Sequence, residues 1–87
     1  MLLTQQHLEM IKVNFAGSER EAVEAELARL TTTDTWDSEY NFNNAIGAIL
    51  ALSKGDMPEL VKLVDAARVD FRDVIYWWSL AQKQFGE

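Results

Sequence analysis

The sequence predicts an all-α fold, a compact single-domain bundle of four to five helices spanning residues 1–87, and three observations carry that prediction. Apolar residues recur at spacings of three and four along most of the chain, the period of one helix face. Helix punctuation agrees with that period: Ser18, either Asp37 or Ser38, Asp56 and Asp70 stand where helices should start, and Gly17 and Gly55 where they should stop. Residues 45–52, Ala-Ile-Gly-Ala-Ile-Leu-Ala-Leu, are apolar on nearly every side, so a helix there needs neighbours all round. At 87 residues and 48% hydrophobic content, one core can support itself without staples.

The first helix is expected over residues 4–15, with Leu8, Ile11 and Phe15 inward and His7 on the surface. Gly17 ends it. Ser18 and Glu21 then have the spacing of a capping box, opening a second helix over residues 19–30 with Val23, Leu27 and Leu30 inward. Residues 31–38 have no period and read as the one substantial loop, in which Trp36 is expected to fold as a staple onto the first turn of the next helix.

That third helix, residues 38–53, is expected at the centre, between the first pair of helices and the last pair. Phe42, Ala45, Ile46, Ile49, Leu52 and Ser53 share its wide face. Asn44, Gly47, Ala48 and Ala51 form a face of small residues, suited to close approach by a crossing helix. Lys54-Gly55 ends the helix, and Asp56 with Pro58 opens the next after a turn short enough to make an antiparallel hairpin. The fourth helix, residues 57–68, should bury Met57, Leu60, Val61, Leu63, Val64 and Ala67.

Residues 48–70, AILALSKGDMPELVKLVDAARVD, resemble the helix–turn–helix of an ankyrin repeat. The resemblance covers about a quarter of the chain; no second copy follows at a spacing of roughly 33 residues and the Thr-Pro-Leu-His entry is absent, so it reflects shared hairpin physics.

Asp70 caps a final helix, residues 71–85, whose inner stripe is Phe71, Val74, Ile75, Trp78, Ala81 and Phe85. Tyr76, Trp77 and Leu80 cannot join that stripe, because at about 100° per residue they project to the opposite side.

Charge and composition narrow the functions. A net charge of −6, with eight Lys and Arg scattered singly, argues against nucleic acid, which demands a basic footprint. The absence of cysteine removes disulfides and thiolate metal sites and fits a reducing, cytoplasmic setting. The opening Met-Leu-Leu-Thr-Gln-Gln lacks the basic start of a signal peptide, and no apolar run approaches the roughly 20 residues that cross a bilayer. Neither export by that route nor a membrane partner is expected.

Catalytic chemistry finds little support. One histidine and no cysteine supply neither a nucleophilic triad nor a zinc site. Asp37, Glu39, Asn41 and Asn43 mimic the start of a calcium loop, but its sixth position is Phe42 and its twelfth Ala48, where glycine and a bidentate glutamate belong. No spacing selects a carboxylate pair, and the glycines stand alone, so no catalytic, cofactor-binding or metal-binding residue is assigned.

What remains is the outer face of the last helix. The sequence therefore points to a small, acidic, soluble protein-interaction module without catalytic activity of its own. Its contact residues would be Tyr76, Trp77 and Leu80, rimmed by Arg72, Asp73, Lys83 and Gln84, and a homodimer through this helix is one expected use. The alternative is an acidic inhibitor or immunity-type protein that masks a basic site on a partner through Glu19, Glu21, Glu24 and the loop carrying Asp34 and Asp37.

Overall fold

A computed structural model describes residues 3–85 of the chain, with side chains through residue 83. The expected core position of Phe85 and rim position of Gln84 therefore lie outside the described side chains. The fold is all-α: helices α1 (Gln5–Asn14), α2 (Arg20–Leu27), α3 (Glu39–Ser53) and α4 (Met57–Phe85), with short 3-10 turns at Gly17–Glu19 and Thr32–Thr35 and no strand among the described residues. The molecule measures 33 × 30 × 23 Å. α3 and α4 share the most extensive interface, while α1 packs on α3 and α2 chiefly on α4.

Two of the expected helix starts differ in detail. α1 is capped by Thr4, whose hydroxyl accepts the His7 amide proton at 3.2 Å while His7 Nδ1 accepts the Thr4 N–H at 3.2 Å. This is a capping box with histidine in the place of glutamate. It turns α1 so that His7 and Ile11 face inward and Leu8 is 40% exposed, against the expected stripe through Leu8 and the expected surface histidine. Before α2, the Glu19 carboxylate accepts the Ala16 N–H at 3.3 Å, and the exposed Ser18 does not cap the turn, so the expected capping box from Ser18 to Glu21 is replaced by this single contact. α2 itself stops at Leu27, and a turn closed by Leu30 N–H to Leu27 C=O at 3.1 Å delivers Leu30 to the core.

Of the two caps the sequence offers α3, Asp37 and Ser38, the second is used, its hydroxyl accepting the Asn41 N–H at 3.1 Å. Phe42, Ala45, Ile46, Ala48, Ile49, Leu50 and Ser53 are all buried along it, more than one face of a helix supplies. It ends where Lys54 and Gly55 turn left-handed, with φ of 50° and 83°. Gly55 is required there twice over: its φ suits glycine, and a Cβ would stand 2.1 Å from the Asn14 carbonyl oxygen at the end of α1. Asp56 then caps α4, accepting the Glu59 N–H at 3.3 Å.

α4 is interrupted at Asp70, whose extended backbone (φ −157°, ψ 104°) separates residues 57–69 from residues 71–85. Asp70 restarts the helix by accepting the Arg72 N–H at 3.0 Å, as its sequence position implies. In the first half Leu60, Leu63, Val64 and Ala67 are buried, with Met57 and Val61 half-buried; in the second, Phe71 and Val74 are buried and Ile75, Trp78 and Ala81 half-buried.

Candidate functional site

The outer face of residues 71–85 is open. Tyr76 is 60% exposed, Trp77 42% and Leu80 41%, and Asp73 and Lys83 flank them, also exposed. All five follow from one helical period: residues 73, 76, 77, 80 and 83 fall along one side when the core stripe takes 71, 74, 75, 78 and 81. α1 does not cover this face. It packs on α3 and faces the other side of α4 across a groove of about 640 Å³, lined by Thr4, His7 and Met10 from α1 and its cap and by Ile75 and Trp78 from α4.

The loop before α3 extends the exposed surface with a residue that sequence reasoning put elsewhere. Trp36 and Asp37 are consecutive left-handed residues, φ 60° and 55°, held by Asp37 N–H to Thr32 C=O at 2.7 Å and by the fully buried Thr35 hydroxyl beneath, 3.1 Å from the Thr32 carbonyl. Two such residues in a row reverse the chain and swing the indole away from the first turn of α3. The expected staple is therefore not formed; the Trp36 ring meets Phe71 edge-on, 5.1 Å between centroids at 87°, and stays 64% exposed.

Arg72 completes the join between loop and helix. Its guanidinium lies 5.0 Å above the Trp36 ring and also grips Asp70 in a fork, Nε to Oδ1 at 2.9 Å and Nη2 to Oδ2 at 2.7 Å. Those donors, with the Arg72 amide, hold the Asp70 carboxyl down to about 2, well below the usual carboxylate range. Arg72 is thus committed to Asp70 and Trp36, and Tyr76 follows it one turn along the helix, so Trp36, Arg72 and Tyr76 succeed one another along one edge of the apolar stripe. Nothing in the sequence marks Trp36 for this place, since it depends on two successive left-handed torsions, the first at a bulky residue that ordinarily avoids them.

The groove on the opposite side is built differently. His7 is 4% exposed, and its tautomer is fixed by its partners: Nδ1 accepts from Thr4, so Nε2–H donates to the Asn43 carbonyl at 3.1 Å. Burial pushes the imidazole below its ordinary pKa, outweighing the Asn43 carbonyl, which favours the charged form. The small-residue face of α3 forms the floor. No crossing backbone touches Gly47, and His7 Nε2, 3.8 Å from where a Cβ would stand, is the nearest atom; the expected close helix crossing is absent because α1 approaches through the histidine side chain instead. Among the described residues, Asn43 Oδ1 is a buried side-chain atom without a hydrogen-bond partner.

The acidic residues do not converge. Glu21 and Asp37 are exposed and Glu19 and Glu24 half-exposed, while Asp34 is occupied with Thr31, accepting its N–H at 3.0 Å. Among the described residues no group of three or more His, Cys, Asp or Glu side chains is placed to hold a metal ion, and no helix is long and apolar enough to cross a membrane. No family model matches this chain, and neither a curated protein nor a solved structure is found to match it.

Proposed function

We propose that this chain is a non-enzymatic protein-interaction module that docks through the outer face of its last helix. One observation carries the reading: three large apolar side chains, Tyr76, Trp77 and Leu80, stand 41–60% exposed in a contiguous stripe on a helix whose opposite side already supplies its share of the core. Folding does not need them outside, since apolar surface left in water forgoes roughly 25 cal/mol per Å². Trp and Tyr are also the side chains that most often dominate binding energy. In this reading α3 is the apolar centre of the bundle, α3 and the first half of α4 form an antiparallel hairpin, and together they hold the docking helix rigid. The cysteine-free composition suits a cytoplasmic setting.

The test is photo-crosslinking in the native cell from position 80 and, separately, from position 21. Crosslinks concentrated at 80, lost in Trp77→Ala and little changed between low and high salt, are the expected result. Crosslinks concentrated at 21 that vanish with salt would replace this reading with the acidic inhibitor, whose attraction to a basic site is screened over about 10 Å at 0.1 M salt.

A further inference from the structure

The docking face has a symmetry of its own, and that symmetry names an occupant. Asp73 and Lys83 lie five residues to either side of position 78, and Tyr76 and Leu80 two residues to either side of it. All four are exposed on the same side of α4. A second identical helix laid antiparallel across this face, with a two-fold axis level with residue 78, brings each Tyr76 against the partner's Leu80. The same operation brings each Asp73 towards the partner's Lys83 and sets Trp77 beside the partner's Trp77. Every group thus meets a complementary one, which is what an isologous interface demands.

Resting on the interaction reading above, we infer that the partner is a second copy of this chain, paired antiparallel through residues 73–83. The net charge of −6 does not forbid it. The face carries Asp73 and Lys83 in balance, and the neighbouring Asp70 is already neutralised by Arg72. Glu19, Glu21 and Glu24 are on or beside α2, a different element from the one that carries this face. Repulsion between charges farther apart than about 10 Å is largely screened at 0.1 M salt. The contact spans residues 73–83, about 16 Å of helix at 1.5 Å per residue, so the pairing is weak and reversible, with Trp77 near its middle.

Sedimentation equilibrium across a wide concentration range tests the pairing and its register together. The wild-type chain dimerises with rising concentration. Trp77→Ala weakens the dimer on the order of a hundredfold, as truncation of a central aromatic does. Asp73→Lys and Lys83→Asp each weaken it about three- to tenfold, because each places like charges opposite one another twice. The double variant D73K/K83D recovers the wild-type constant. These side chains are exposed, so unchanged thermal melting of the variants at low concentration certifies their folds. A wild-type chain that stays monomeric throughout overturns the self-pairing; if position 80 nevertheless crosslinks a different protein in a Trp77-dependent way, the interaction reading stands without it. A dimer that D73K/K83D fails to restore, or that Trp77→Ala leaves intact, overturns the antiparallel register.

Discussion

The two halves of α4 are made of similar residues and put them to different use. Residues 57–69 bury Leu60, Leu63, Val64 and Ala67 and turn Lys62, Asp65 and Arg68 outward, the ordinary division of an amphipathic helix. Residues 71–85 bury Phe71 and Val74 just as thoroughly, yet set Tyr76, Trp77 and Leu80 on the far side. Apart from Val69, 87% exposed beside the break at Asp70, the first half is explained by folding alone. The second carries apolar surface in excess of what its core needs, and the proposed docking rests on that excess.

The sharpest way to break this contrast is to truncate one leucine from each half. Leu60 is fully buried and Leu80 is 41% exposed. Leu60→Ala is expected to lower the unfolding free energy by about 2–5 kcal/mol, against a change within about 0.5 kcal/mol for Leu80→Ala, both measured by urea denaturation of the monomer. Equal losses at the two positions would mean that the outer face is part of the core.

A smaller effect tests what holds the halves apart. Asp70 is the cap on which the second half starts, so Asp70→Ala should destabilise the chain by about 1 kcal/mol in the same measurement. It should also free the Arg72 guanidinium from its fork and loosen it over Trp36, which tryptophan fluorescence would report. An unchanged emission spectrum would separate the Trp36 contact from the cap.

The smallest effect belongs to the inner side of the second half, where Ile75 and Trp78 face His7 across the groove. Because burial lowers the His7 pKa in the folded state, the unfolded chain takes up a proton first as pH falls. Stability from the neutral imidazole is therefore fully present above the ordinary value of 6.5 and is lost as pH drops through and below it. Protonation of Nδ1 also breaks the cap on Thr4. Wild type should lose more stability between pH 7 and pH 5 than His7→Gln; equal losses would show that the imidazole titrates as it does in water.

How much of this was legible in the sequence depends on the range of the forces involved. Period and punctuation are local, so the all-α class, a cap at residue 37 or 38, the stop at Gly55, the restart at Asp70 and the outward side of Tyr76, Trp77 and Leu80 could all be read directly. A helix that must put Phe71 and Val74 inward has no freedom over where residues 76, 77 and 80 point.

What the tertiary structure alone decided concerns residues whose partners lie far along the chain or whose torsions run against local preference. His7 reads as a surface residue until Asn43, thirty-six positions away, supplies the carbonyl that lets it be buried. The small-residue face around Gly47 suggests a helix crossing, and the direction of α1 makes it the floor of a groove instead. Trp36 lies against Phe71 and Arg72 because two successive left-handed residues redirect the loop. Local sequence disfavours that conformation, and only the hydrogen bonds of the folded loop, to Thr32 and around the buried Thr35, select it.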